Sequence, residues 1–413
     1  MRVVIIGAGI GGLCLAQGLK QAGIDVMVHE RDARLDSRGQ GYRIHIDNRG
    51  TDGLRECLPP ELYELFAATT GQPSRRITVV DRKLKQLREI RPPEPAPDTP
   101  GTPGRMSTSV DRFVLRTILM AGLRDVVRFG REFVRYETRL DGSIRAFFAS
   151  GGHDTGDVLV AADGVGSRIR GQYLPQAHVR DTGERVLCGR TPLTPTVRAR
   201  LPRMLNDGFT AVVGSRRLGM ALGAVEFLEP PDKAAARLCP DMDLDFRGAD
   251  DYVMWSLAGK AAAFPASDDR LHAMDPVALH DVARRMVDSW HPDLRNLVDQ
   301  ATAERTFFLD VRTSFPFGPW NPSRVTLLGD AIHAMPPSRG SGANIALKDS
   351  ARLCAQLRKA ADRRQTFEEA VGVYEADMAD YGFAAVRDSL GIIPSGGSLI
   401  GAIAKRLAAR RTS

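Results

Sequence analysis

The chain has 413 residues, of which 43% are hydrophobic and 26% are charged, and its formal net charge is +7. This length predicts more than one lobe, and the scattered basic residues argue against nucleic-acid binding. We expect neither a membrane-spanning helix nor a signal peptide, because no run of 18 apolar residues occurs and the first apolar run is the first strand. The five cysteines form no C-x-x-C pair, which predicts a cytoplasmic protein without a metal site.

The N-terminus predicts a strand, a glycine turn, a helix and a second strand. Val3–Ile6 has the apolar character of a buried parallel strand, and Gly7, Gly9 and Gly12 follow it in the G-x-G-x-x-G spacing. Glycine there permits a tight turn, close approach of the backbone to a pyrophosphate, and close packing of helix on strand. Glu30 ends the second strand and is placed to accept ribose hydroxyls. This unit predicts a dinucleotide-binding fold.

A short alternating strand from Tyr42 to Asp47 follows, and it carries Arg43 and His45 on one face. His45 is a candidate proton relay for a phenolic substrate, and one structural hydrogen bond is the alternative. Arg43 is a candidate ligand of substrate or flavin, and again a structural role is the alternative.

The remaining elements are predicted from apolar periodicity and turn residues. In chain order they are a helical region at 51–68, a strand pair at 77–90, a proline-rich surface loop or lid at 91–104, a helix headed by Arg112, a three-strand meander at 131–139, 143–149 and 156–161, a second sheet within 185–270, a helix from Asp275, a buried strand at 324–328, and helices at 342–358 and 367–390.

The segment after the last strand carries the most informative chemistry. Asp330 stands at the strand's carboxyl end, where it can accept a ribityl hydroxyl. Gly340 and Gly342 let the backbone approach a flat ring, and the next helix directs its N-terminal dipole at that ring. An NAD-dependent dehydrogenase needs only the first glycine motif. Three acid-bearing motifs, at Glu30, Asp163 and Asp330, therefore indicate FAD.

With these motifs and Arg112, the chain resembles the class A flavoprotein monooxygenases of the para-hydroxybenzoate hydroxylase fold. Within that group it is similar to bacterial members that act on natural products, including the tetracycline-modifying enzymes. The resemblance covers most of the chain and implies an α/β fold, with a Rossmann-type FAD-binding domain, an inserted β-sheet substrate domain and a C-terminal helix. We expect the FAD-binding domain at 1–72, 105–184 and 300–390, the substrate domain at 73–104 and 185–299, and the C-terminal helix or tail at 391–413.

The resemblance also assigns site residues. Glu30 and Arg31 would contact the adenosine end of FAD, Arg38 and Arg112 the phosphate and ribityl region, Asp163 both FAD and NAD(P)H, Asp330 the ribityl chain, and Pro337, Gly340, Gly342, Ala343 and Asn344 the border of the isoalloxazine. Such enzymes have no second dinucleotide domain, so NAD(P)H is expected to dock transiently.

The implied reaction is oxygen transfer. NAD(P)H would reduce FAD, O2 would add to give a C4a-hydroperoxide, and a small aromatic or polyketide-like compound of secondary metabolism would be hydroxylated or epoxidised. We expect a monomer or homodimer. A flavin-dependent halogenase is one alternative, but its W-x-W-x-I-P element is not matched by Tyr252–Leu257. A flavin-bound cyclase or scaffold without net redox turnover is another.

Overall fold

The computed structural model describes residues 1–37, 41–74, 76–91, 108–206, 208–214 and 218–391. Its strands, numbered in chain order, are β1 (Arg2–Ile6), β2 (Asp25–His29), β3 (Arg43–Ile46), β4 (Arg76–Asp81), β5 (Gln86–Ile90), β6 (Thr108–Asp111), β7 (Val127–Arg128), β8 (Phe133–Thr138), β9 (Ile144–Phe148), β10 (His153–Gly156), β11 (Val158–Ala161), β12 (Val179–Pro192), β13 (Gly208–Val213), β14 (Leu218–Val225), β15 (Tyr252–Lys260), β16 (Phe307–Ser314) and β17 (Val325–Leu327).

The α-helices are numbered in the same way. They are α1 (Ile10–Gln21), α2 (Asn48–Cys57), α3 (Pro60–Ala68), α4 (Arg112–Met120), α5 (Arg168–Tyr173), α6 (Pro195–Arg200), α7 (Arg203–Asn206), α8 (Pro231–Leu238), α9 (Asp268–Ala273), α10 (Pro276–Met286), α11 (Pro292–Asp299), α12 (Asp330–His333), α13 (Gly342–Ala361) and α14 (Phe367–Leu390). Short 3-10 helices cover Ala261–Ala263, Ala303–Arg305 and Pro337–Arg339. None of these helices is long and apolar enough to cross a membrane.

A parallel sheet forms the centre of the first structural unit. Its strand order is β17-β11-β1-β2-β7, and every pairing is parallel. The central strands are buried because they consist of apolar, mostly β-branched residues, and α1 packs against α2 and α13 beside them. The fold prediction of a Rossmann-type sheet is confirmed.

A second, larger sheet has the strand order β16-β12-β15-β14-β13-β4-β5. One face buries large side chains such as Trp255 and Leu257 against apolar residues of α10 and α11, which form the second core. The other face carries a cluster of mostly small residues. The predicted additional sheet is therefore confirmed. The domain boundaries stay a prediction, and the predicted tail at 391–413 lies almost entirely outside the described residues.

Strands β3 and β6 form a separate antiparallel pair, which we call the ribbon. Arg43 pairs with Asp111, and His45 pairs with Ser109. The ribbon contacts α13 of the first unit and β14 of the large sheet. It therefore connects the parallel sheet's helices with the large sheet.

Two predicted elements differ from the structure. The helical region at 51–68 is two helices, because Pro59 and Pro60 interrupt the hydrogen-bond ladder and Pro60 begins α3. The predicted third strand of the meander, at 156–161, corresponds to β11 and lies outside the meander, and β10 was not predicted. The polar strand β10 pairs with β9, whereas the wholly apolar β11 joins the parallel sheet beside β1, where both of its faces are buried.

The close approach of helix to strand gives a stability prediction. A Cβ atom on Gly12 would lie 2.1 Å from the carbonyl oxygen of Gly7. Gly12→Ala should therefore displace α1 and destabilise the FAD-free protein by about 1–3 kcal/mol or more in urea unfolding. The matched control is Gly171→Ala in α5, where a Cβ atom meets nothing within 4 Å. That variant should be neutral or slightly more stable, and equal destabilisation of both variants would contradict the packing argument.

Candidate cofactor and substrate site

In the first glycine turn, an added Cβ atom would clash with neighbouring atoms at Gly7 and Gly12 but not at Gly9. Gly7 has φ +111°, and a Cβ atom on it would lie 2.3 Å from the carbonyl oxygen of Ala162. At Gly9 the nearest atom to such a Cβ is 4.0 Å away, so open space lies in front of it. Gly9 is also the N-cap of α1 and has no side-chain cap. The open N–H groups and the helix dipole make this turn suitable for a pyrophosphate.

Glu30 lies directly behind this turn and is buried. Its Oε2 accepts a hydrogen bond of 2.8 Å from the backbone N–H of Ala8, and its Oε1 accepts one of 2.9 Å from that of Asp32. The carboxylate therefore fixes the turn. Its contact with ribose hydroxyls stays a prediction, as does that of the exposed neighbour Arg31.

Helix α4 brings arginines toward the same turn. The backbone N–H of Arg112 donates to the Tyr42 carbonyl oxygen (3.0 Å), and its guanidinium lies 5.6 Å from the centre of the Tyr42 ring. The sequence analysis missed Arg116, whose buried guanidinium donates to the carbonyl oxygens of Ala8 (2.9 Å) and Leu35 (3.0 Å). The spacing of four residues from Arg112 was the available signal. The predicted Arg38 lies outside the described residues.

The second motif follows β11. Asp163 Oδ2 accepts a hydrogen bond of 3.2 Å from the backbone N–H of Arg168, and its Oδ1 is buried without a partner among the described residues. Burial raises the pKa of this carboxyl group. The sequence analysis also missed Arg170, whose Nη1 donates to the Ala331 carbonyl oxygen at 2.9 Å. This bond joins the second motif to the third.

The third motif is supported by a buried carboxylate that sequence reasoning missed. Asp349 Oδ2 accepts from the backbone N–H of Gly329 (2.8 Å) and pairs with His333 Nε2 (2.7 Å), and its Oδ1 accepts from the Tyr381 hydroxyl (2.8 Å). Burial alone would lower the pKa of His333, but Asp349 reverses this and raises it. His333, the last residue of α12, is thus packed and hydrogen-bonded. The network fixes the turn that presents Asp330.

Unlike the carboxylate of Asp349, the carboxylate of Asp330 is open, that is, available to a ligand. It exposes surface, yet enough atoms surround it that desolvation raises its pKa. No described residue forms a hydrogen bond with its side chain. A Cβ atom on Gly342 would lie 3.8 Å from its Oδ1, so it stands beside the start of α13, whose N-cap residue Ser341 gives no side-chain cap. An open acceptor beside open N–H donors fits a polyhydroxylated ligand such as the ribityl chain of FAD.

The turn before α13 is joined to the ribbon through Asn344. The buried Asn344 Nδ2 donates to the carbonyl oxygens of His45 (2.9 Å) and Gly340 (2.8 Å), and its Oδ1 accepts from the backbone N–H of Asp47 (2.8 Å). Gly340 has φ +62°, and a Cβ atom on it would lie 3.1 Å from His45 Cβ. The predicted flavin contacts of Pro337, Gly340, Gly342, Ala343 and Asn344 stay predictions, and the structure gives Asn344 a fixed structural role as well.

The ribbon's polar face lies against the small-residue face of the large sheet. A Cβ atom on Gly223 of β14 would lie 2.8 Å from Arg43 Cδ. Ala221 shares that face of β14, and the same cluster includes Cys188, Ala211 and Ala258. Burial lowers the pKa of His45, and Arg43 lowers it further. Of the predicted pair, Arg43 thus lies against this apolar face of small side chains, and His45 lies beside Gly340.

Two protein-family models match the two segments of the chain that carry the first and third motifs. Residues 5–55 match the NAD(P)-binding Rossmann-like domain, and residues 298–389 match the FAD binding domain. The first match contains the glycine turn and Glu30, and the second contains Asp330 and the start of α13. The FAD prediction is confirmed, and the first match supports NAD(P)H as the reductant.

Known proteins resemble the chain over its full length. A solved Photorhabdus luminescens protein, described as an FAD-containing monooxygenase, is 32% identical, with 98% of each chain covered and a TM-score of 0.77. A dual O-methyltransferase/FAD-dependent monooxygenase of Phaeosphaeria nodorum is 33% identical over 404 residues, which cover 92% of this chain, and the chain spans only 43% of that relative's length. Tetracycline destructase Tet(51) shares the fold, with 17% identity, 95% and 90% of the two chains covered, and a TM-score of 0.63.

The full-length similarity, the FAD-domain match and the three motifs agree with one another. The chain therefore belongs to the FAD-dependent monooxygenases.

Proposed function

We propose that this monooxygenase uses NAD(P)H and O2 to hydroxylate or epoxidise a small aromatic or polyketide-like compound. One observation carries the proposal. The ribbon contacts both the start of α13, where Asp330 is open, and the small-residue face of the large sheet. A flat ring held on α13 and a flat substrate on the sheet would therefore meet at the ribbon.

The chain's residues would hold FAD along the three motifs. The pyrophosphate would lie at Gly9 and the uncapped start of α1, with Arg112 and Arg116 nearby as cations. Asp330 would accept ribityl hydroxyls, and the turn before α13 would border the ring. FAD, when bound, supplies the activation of O2 and the transfer of one oxygen atom.

Packing of the large sheet on the first unit would also help to exclude water from this region. Val225, Phe227 and Tyr252 belong to the same buried apolar cluster as the core of the parallel sheet. Apolar side chains at and beside the end of the large sheet therefore pack on the first unit. Exclusion of water protects a reactive oxygen species and strengthens the electrostatic interactions that orient the substrate.

His45 would accept a proton from a substrate hydroxyl. Its lowered pKa keeps the imidazole neutral near pH 7, as a general base requires. Removal of the proton makes a phenol ring more electron-rich, and the Asn344 hydrogen bond to the His45 carbonyl oxygen holds its backbone in place.

The first prediction from the proposed function concerns cofactor affinity. Asp330→Ala removes the open acceptor, so FAD affinity should fall about 10- to 100-fold, the expected loss for a hydrogen bond to a charged group. Equilibrium titration of the FAD-free protein followed by flavin fluorescence measures the change. Asp241→Ala, which removes an exposed carboxylate, is the matched control and should bind FAD normally. Unchanged affinity in Asp330→Ala would contradict the assigned role.

The second prediction tests the reaction. Anaerobic NADH or NADPH should bleach the visible flavin bands of the holoenzyme. With O2 and a suitable phenolic compound, NAD(P)H oxidation should accelerate and the product should gain one oxygen atom in mass spectrometry. A flavin that neither nucleotide reduces would overturn the proposal and would favour a cyclase or a scaffold.

The third prediction follows from the pKa of His45. Because this pKa is lowered, kcat/KM for a phenolic substrate should fall as the pH drops through a value below the ordinary 6.5. His45→Gln should lower kcat about 100-fold and remove this acidic limb. The same protonation destabilises the fold, since the unfolded state binds the proton more tightly at low pH. An acidic limb that persists in His45→Gln would exclude His45 as the base.

A further inference from the structure

Arg43 is a desolvated cation with few partners. Its Nε donates a hydrogen bond of 3.3 Å to the carbonyl oxygen of Ala224. Its side chain makes no other hydrogen bond to a described residue. Burial lowers its pKa, and Tyr252 offsets this only in part. The two terminal nitrogens of the guanidinium therefore have no protein acceptor in the described part of the chain.

The acid that pairs with Arg43 in the strand register of the ribbon is already engaged. Asp111 pairs with Arg43 in the strand register, but its Oδ1 accepts from the backbone N–H groups of Phe113 and Val114 as the N-cap of α4. Its Oδ2 accepts from the Tyr252 hydroxyl at 2.8 Å and lies 3.9 Å from Arg190. Asp111 is therefore committed to other donors, and Arg43 forms no ion pair with it.

A glycine in β14 leaves space for the Arg43 side chain on the large sheet. The Arg43 stem crosses β14 at Gly223, where a Cβ atom would lie 2.8 Å from its Cδ. Beside it, the sheet face bears small apolar residues such as Ala221 and Ala258. An unpaired guanidinium in such surroundings costs free energy unless an anion completes it. Its planar donors match a planar oxyanion in a bidentate arrangement.

We propose that Arg43 binds an anionic oxygen group of the substrate, a carboxylate or a phenolate, and thereby selects acidic aromatic compounds. The inference rests on the proposed function, because it concerns the substrate of the same site. The substrate is favoured over the FAD phosphates as the source of the anion, because Ala224, Gly223 and Tyr252 all belong to the large sheet. The predicted phosphate position is at Gly9 on the other unit.

The test uses benzoate and its neutral isostere benzamide with the oxidised holoenzyme. Each is titrated while the visible spectrum of the bound flavin is recorded. The wild-type enzyme should bind benzoate about 10- to 100-fold more tightly than benzamide, as expected for a hydrogen-bonded charge pair. In Arg43→Gln this ratio should approach one while the content of bound FAD is unchanged.

Two further variants control for loss of charge and for misfolding. Arg247→Gln removes a cation whose side chain is 91% exposed, and it should keep the wild-type ratio. Gly223→Ala keeps the cation but displaces it, so the ratio should fall although the net charge is unchanged.

Three results would overturn the inference. They are a wild-type enzyme that does not bind benzoate saturably and in preference to benzamide, an Arg43→Gln variant that keeps the preference, and an Arg43→Gln variant that loses FAD, which would assign the cation to the cofactor. The titration contains neither NAD(P)H nor substrate turnover. A failure of the proposed reaction would therefore leave the benzoate preference intact.

Discussion

The side chain of Asn344 sets the geometry of the site. Three hydrogen bonds from one buried amide join the ribbon, the Gly340 turn and the start of α13. The neighbouring Gly50 admits this amide, because a Cβ atom on Gly50 would lie 2.4 Å from Asn344 Oδ1. The positions of His45 and Arg43 relative to α13 depend on this connection. A buried network that is fully satisfied specifies one arrangement, whereas a half-satisfied one would be costly.

Two charged groups of opposite sign are left open around this connection. Asp330 stands at the start of α13, and Arg43 stands on the ribbon against the large sheet. Two other carboxylates near the site are already engaged by the protein, since Glu30 accepts from two backbone N–H groups and Asp349 interacts with one backbone N–H group and two side chains. The contrast separates groups that maintain the fold from groups available to a ligand. The open acid is suited to hydroxyl groups of a cofactor, and the open cation to an anion.

The sequence predicts best the features that depend on neighbouring residues. The glycine spacing at Gly7–Gly12 and the acid at Asp330 are local patterns, and the structure places both where parallel strands end. The interruption at Pro59 and Pro60 was also readable from local rules and was overlooked. The place of β11 in the parallel sheet, and not in the meander, depended on burial on both faces beside β1, which alternation alone did not show.

The site residues that were not predicted from the sequence depend on contacts between distant segments of the chain. Arg116 binds the Ala8 carbonyl oxygen, and Arg170 binds that of Ala331, across 108 and 161 residues of chain. Asp349 lies inside a helix whose periodicity gives no sign that its carboxylate fixes Gly329. Gly223 lies in no recognisable sequence motif. It is important because the side chain of Arg43 packs against it. Such roles follow from packing, which a single sequence does not specify.

A crystal structure of the holoenzyme tests the central claim most directly. The account predicts FAD with its pyrophosphate at Gly9, its ribityl chain at Asp330, and its isoalloxazine ring against the Gly340 turn, facing the ribbon and the small-residue face of the large sheet. A ring bound away from the ribbon, or a ribityl chain that does not contact Asp330, would contradict it.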